Sequence, residues 1–124
     1  MTSHQPDPSI LLVEDDATTR DAMILILKEE GYSVASAANG REALAHLRGP
    51  HRPKLILLDL MMPIMNGWEF WIEHQKDPAL KAIPVVVVSA DGNLPQKAAP
   101  NGVADYLRKP VDVELLLDTV QRYC

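Results

Sequence analysis

Five residues of chemically useful type stand where apolar runs end. Glu14 and Asp15 follow Ile10-Leu11-Leu12-Val13, Asp59 follows Lys54 to Leu58, Ser89 follows Ile83 to Val88, and Lys109 comes two residues after Leu107. If the runs are strands of one parallel sheet, these groups converge outside the carboxyl ends of the strands, where open α/β sheets bind ligands. Glu14, Asp15 and Asp59, ionised and adjacent, would carry three negative charges. Like charges that close raise one another's pKa unless a cation compensates. A Mg²⁺ ion and Lys109 together bring that sum to zero. Mg²⁺ suits one or two carboxylates completed by waters and phosphate oxygens, with Mn²⁺ as the alternative ion. No His/Cys cluster lies nearby to hold zinc. A carboxylate that attacks a phosphoryl group forms an acyl phosphate, and the transfer depends mainly on positioning and electrostatics. Asp59 is then the acceptor. Metal and Lys109 bind two of the transferring oxygens, and the Ser89 hydroxyl bonds the third.

The elements that must position these groups follow from the hydrophobic pattern. Continuous apolar runs suit strands buried on both faces of a parallel sheet. The pattern predicts strands over 10–13, 32–37, 54–58, 83–88 and 103–107. It predicts helices over 18–30, 41–48, 68–76 and 113–123. Gly31 closes the first helix as its C′ residue. Asn39-Gly40 reads as a turn, and Pro63 and Gly67 shape the loop after Asp59. Asp112 caps the last helix, with Leu115, Leu116 and Val120 toward the core. Strands thus alternate with helices about five times, which predicts an α/β fold with a parallel sheet and right-handed crossovers. The segment between Ser89 and Val103 holds Pro95 and Pro100, which lack the amide a helix interior needs. Any helix there is short, from Leu94 to Ala99.

Composition sets the outer bounds. A chain of 124 residues fits one domain. The division read from it is a disordered tail over 1–8 and a folded domain over 9–124. The apolar share of 47% is ordinary for a globular domain, so one aliphatic core suffices. No apolar run approaches the length needed to span a bilayer. The first eight residues are polar and lack a signal core. These features, with a single cysteine at Cys124, predict a cytoplasmic protein without membrane contact. A net charge of −5 and scattered basic residues argue against direct nucleic-acid binding.

At these residues the sequence resembles the receiver domain of two-component response regulators, the group that includes the single-domain chemotaxis regulator. The likeness runs from Ser9 to Tyr123. Its motifs are Val13-Glu14-Asp15-Asp16, then Leu57-Leu58-Asp59-Leu60-Met61-Met62-Pro63 with Asn66-Gly67, Val88-Ser89-Ala90, and Tyr106-Leu107-Arg108-Lys109-Pro110. The resemblance implies a flavodoxin-like, doubly wound, five-stranded sheet of order 2-1-3-4-5, with a short or irregular fourth helix. It implies that Asp59 accepts a phosphoryl group from a histidine kinase or histidine phosphotransfer protein. Asp15 would bind the metal directly, Glu14 through water, and the Met61 carbonyl would complete the shell. Ser89 would follow the phosphoryl group, Tyr106 would change rotamer with it, and Lys109 would pair with it. The Lys109–Pro110 bond would be cis.

The implied protein is a switch that promotes its own phosphorylation and dephosphorylation rather than an enzyme. It would act through a downstream protein or relay the phosphoryl group onward as a stand-alone receiver, or be a fragment of a larger chain. A metal-dependent phosphatase of the haloacid-dehalogenase type is the competing reading, but it needs Asp-x-Asp after its first strand, and Glu14-Asp15-Asp16 stands there. A degenerate receiver is the third, opposed by the intact acid, hydroxyl and lysine set. Other polar and aromatic residues receive structural roles. Asp16 is expected to cap a helix. Trp68, Phe70 and Trp71 are expected to pack in the core and at its rim. His4, His46, His51 and His74 are expected at the surface.

Overall fold

The structure, a computed structural model, describes residues 9–50, 52–60, 67–90 and 103–124. Ile10–Val13 (β1), Val34–Ala37 (β2), Leu55–Asp59 (β3), Val85–Ser89 (β4) and Asp105–Arg108 (β5) pair in parallel, in the order β2-β1-β3-β4-β5. That is the order the resemblance implied. β1 coincides with its apolar run, and the other ladders start or end one or two residues from theirs. Asp59 and Ser89 are therefore the last residues of their strands, not the first after them, and Asp59 pairs with Val88 and Ser89 with Arg108. An apolar run marks where side chains are buried. The ladder marks where amides pair, and it can take in a polar residue at its end.

Burial on both faces explains why β1, β3 and β4 are almost wholly aliphatic. Leu11, Val13, Ile56, Leu58, Val85 and Val87 face one core with Ala43, Leu44 and Leu47 of Gly40–Leu47 (α2), Phe70 and Trp71 of Gly67–Lys76 (α3) and Leu80 of Pro78–Lys81 (α4). Ile10, Leu12, Leu55, Leu57, Val86 and Val88 face the other. There they meet Met23 and Leu27 of Ala17–Glu29 (α1) and Leu116 and Val120 of Val113–Tyr123 (α5).

Local signals set the ends of the helices. Asp16 caps α1 by accepting from the Thr19 amide at 2.9 Å, and Asp112 caps α5 through the Leu115 amide at 3.0 Å. Gly31 takes φ 93°, the left-handed conformation expected after α1. Asn39 is not a free turn. It caps α2 by accepting from the Glu42 amide at 2.9 Å, and Glu42 reaches back to the Ala38 amide at 3.2 Å. The short α4 escaped the hydrophobic pattern, although Asp77-Pro78 is a cap followed by proline in the first turn.

Two burial expectations are corrected. Leu115 is 51% exposed and does not face the core, because its neighbour Leu116 occupies that direction. His74 is buried, not at the surface. It lies i+4 from Phe70 and i+3 from Trp71, so it shares their inward stripe. His4 and His51, Pro63, the tail over 1–8 and the segment from Leu94 to Ala99 lie outside the described residues.

Candidate functional site

The carboxyl ends of β1, β3 and β4 bring the predicted acids and hydroxyl to one edge of the sheet. Glu14 continues β1 and is fixed to β2 by its amide, which donates to Ala37 O at 3.0 Å. Asp59 ends β3 between β1 and β4. One carboxylate oxygen from each of Glu14, Asp15 and Asp59 lies within 4.8 Å of the others. Glu14, Asp59 and Ser89 are buried, whereas Asp15 is exposed.

Lys109 reaches this cluster from beyond β5. Its amide donates to Ser89 O at 2.9 Å, which extends the β4–β5 pairing past the last strand residue and aims the side chain back over the sheet edge. Its Nζ lies 2.6 Å from Glu14 Oε1 and 3.4 Å from Asp59 Oδ2. The Lys109–Pro110 peptide is cis, as the resemblance implied.

The electrostatics follow from these contacts. Burial pushes the Glu14 carboxyl up, but hydrogen bonds from Lys109 and from the Asp16 amide, with the lysine charge, outweigh it, and the group titrates below the ordinary carboxylate range. Burial likewise opposes charge on Lys109, yet its two acidic partners carry it above the usual lysine value. Both stay charged near neutral pH. One cation facing three carboxylates leaves a net deficit of positive charge. The donor set is all oxygen, so it fits a hard divalent cation rather than zinc.

Glycine at position 67 makes room for Asp59. The Gly67 amide donates to Leu60 O at 3.1 Å. A Cβ at Gly67 would lie 2.6 Å from Leu60 Cα and 2.7 Å from Asp59 O, so α3 starts against the backbone of the acid itself. Any side chain there would displace Asp59.

The structure therefore assembles Glu14, Asp15, Asp59, Ser89 and Lys109 at one edge. Tyr106 lies further back on β5. It pairs with Val87, two residues before Ser89, and so shares a sheet face with both; its side chain is 40% exposed. Met61 lies outside the described residues. Sequence reasoning missed Arg20, whose Nη1 donates to Glu14 O at 2.9 Å. The available signal was a basic residue one helical turn after the Asp16 cap, close to the acidic pair.

Comparison with known proteins gives a consistent answer. Residues 10–121 match the family described as response regulator receiver domain. Protein PilH of Pseudomonas aeruginosa is 35% identical over 113 residues, which cover 90% of this chain and 93% of PilH. The structure of the Vibrio cholerae chemotaxis protein CheY4 superposes with a TM-score of 0.83 at 32% identity, covering 93% of this chain and 97% of CheY4. The receiver domain of a sensor histidine kinase from Pseudomonas aeruginosa, solved with a magnesium ion coordinated in its active-site cleft, does so with a TM-score of 0.83. It is 26% identical, and the match covers 94% of this chain and 97% of that domain.

Proposed function

This chain belongs to the response regulator receiver family of two-component systems, and from that premise we propose that it is a phosphorylation switch whose acceptor is Asp59. Receiver domains are signalling switches rather than classical enzymes, which sets aside the phosphatase alternative. The observation that carries the proposal is Lys109 Nζ between Glu14 and Asp59, beside a three-carboxylate cluster that one lysine cannot neutralise.

In the proposed reaction an Asp59 carboxylate oxygen attacks phosphorus of a phosphohistidine on a histidine kinase or histidine phosphotransfer protein. The new bond is P–O, the P–N bond breaks, and the imidazole nitrogen keeps the electron pair. Asp15 and Asp59 would hold a Mg²⁺ ion directly, Glu14 through water, and the Met61 carbonyl would complete the shell. That ion supplies charge neutralisation for the phosphoryl oxygens. Lys109 turns from its carboxylates to a phosphoryl oxygen, and the Ser89 hydroxyl donates to another. Water in place of the imidazole reverses the modification at the same site.

The switch follows from charge. A phosphoryl group adds nearly two negative charges and strong acceptors. Ser89 moves toward it and vacates space on the sheet face that Tyr106 shares. Tyr106 turns inward to fill it, and the altered surface reports to a downstream protein in the cytoplasm. The folded unit of this switch is residues 9–124.

The reading is tested by incubating the protein with Mg²⁺ and acetyl phosphate and weighing the intact chain. One base-labile phosphoryl group is expected on the wild type and none on Asp59→Asn. No adduct on the wild type, with the same donor active on another receiver, would sink the proposal.

A further inference from the structure

We infer that Arg20, on the first turn of α1, is the positioning residue for the metal-binding Asp15. The inference rests on the metal reading above. Asp15 is the exposed member of the carboxylate cluster, and among the described residues no hydrogen bond restrains its side chain. Whatever holds that carboxylate toward Glu14 and Asp59 therefore acts through the backbone of residue 15.

Arg20 acts there. Its Nη1 donates to Glu14 O at 2.9 Å, with a longer contact to Asp15 O at 3.5 Å. Those carbonyls belong to the peptide planes on either side of the Asp15 Cα, so one guanidinium nitrogen pins both. Arg20 is itself anchored, because its amide donates to Asp16 O at 2.8 Å. The surrounding turn is tied as well. The Asp16 amide donates to Glu14 Oε2 at 3.2 Å, and Asp16 Oδ2 accepts from the Thr19 hydroxyl at 2.6 Å. These bonds fix Glu14 and Asp16 but leave Asp15, between them, dependent on Arg20. A rigid planar guanidinium holds that one nitrogen in place more firmly than a lysine ammonium, a point charge on a flexible stem, would.

Two effects of Arg20 on a bound cation have opposite signs. Its positive charge repels the ion, while its grip on the turn holds a ligand in place. Its guanidinium faces two backbone carbonyl dipoles that offset its field at the ion, so the positioning effect dominates. Loss of a residue that orients a metal ligand typically weakens the metal about tenfold or more.

The test is Mg²⁺ binding by calorimetry, with Mn²⁺ binding by electron paramagnetic resonance as a second readout, on wild type, Arg20→Ala and Arg20→Lys. Arg20→Ala is expected to bind about tenfold more weakly, with Arg20→Lys between it and the wild type. The thermal midpoint in metal-free buffer should change little. Unchanged or tighter binding by Arg20→Ala overturns the inference, as does a fall in midpoint with unchanged affinity. If Arg20→Ala does not fold, Arg20→Lys carries the test, and wild-type affinity in it is the overturning result. A wild type that binds neither ion refutes the metal reading itself.

Discussion

Two buried titratable sites lie at opposite ends of the sheet, and they resolve burial in opposite ways. At the carboxyl ends of the strands Glu14 is buried, yet it is held ionised by Lys109. Toward the amino end of β4 His74 is equally buried and held neutral. Its Nε2 lies 3.0 Å from Ile83 O, and a carbonyl only accepts, so Nε2 carries the proton. Its Nδ1 then accepts from the Gln75 side-chain amide at 2.9 Å, and the ring stacks on Trp71 at 5.4 Å. Burial pushes its pKa down; the carbonyls of Ile83 and Leu80 and the charge of Asp77 pull it back only in part. Depth alone does not decide charge. A buried group stays ionised where an opposite charge bonds it directly, as Lys109 does Glu14, and becomes neutral where its bonded partners are dipoles and burial outweighs a charge such as Asp77. The charged end gathers three carboxylates and a lysine at the site proposed for phosphorylation, and the neutral end joins α3 to the start of β4.

The strongest way to break this contrast is to disturb the charged end through its backbone. Gly67→Ala drives a methyl group into Leu60 Cα and Asp59 O, and is expected to cost about 3 kcal/mol. Urea unfolding measures it, and a cost near zero would mean that Asp59 is not held by close approach of α3. Lys109→Met comes next. It leaves Glu14 and Asp59 without their cation, and because the lysine side chain is 24% exposed the expected loss is modest, about 1.5 kcal/mol. Mg²⁺ should restore part of it, so the thermal shift on adding Mg²⁺ should be larger in the variant than in the wild type.

His74→Leu is the smallest of the three, about 1 kcal/mol above pH 6.5, where it removes the donor to Ile83 O. Its cost should shrink on acidification, since it also removes a proton-linked penalty. A folded pKa below the ordinary 6.5 means that the unfolded chain binds the proton first. Stability from His74 is therefore full above 6.5 and lost as pH falls toward the folded value. Glu14, lowered from 4.5, contributes a separate loss below that pH. Lys109, raised from 10.5, contributes fully below that value and is lost as pH rises through the folded one. Acid unfolding of the wild type should show both steps, and His74→Leu should lack the upper one.

The charged end was far more legible in the sequence than the neutral one. Glu14, Asp59, Ser89 and Lys109 each interrupt or follow an aliphatic run, and a polar residue at the end of a buried strand stands out against its neighbours. The parallel sheet follows from the same runs. His74 offered no such contrast, because a histidine among Glu73, Gln75 and Lys76 reads as solvated until the helical phase of Phe70 and Trp71 is applied to it. Leu115 misled for the converse reason: three consecutive leucines cannot all face inward, and the sequence alone does not choose the phase. Arg20 was only half legible: its spacing after the Asp16 cap put a cation near the acids, but its contact is with backbone carbonyls, whose directions appear only once the turn is built. Ladder ends such as Asp59 and Ser89 shifted by a residue because pairing depends on the partner strand.

The central claim is that Asp59 is the acceptor. It is tested most directly by phosphorylating the wild type with acetyl phosphate and Mg²⁺ and then reducing the acyl phosphate with borohydride. Reduction converts the modified aspartate to homoserine, a stable mark that peptide mass spectrometry can locate. The account predicts homoserine at position 59 and at no other acid. Homoserine at Asp15 or Asp16, with Asp59 intact, would contradict it.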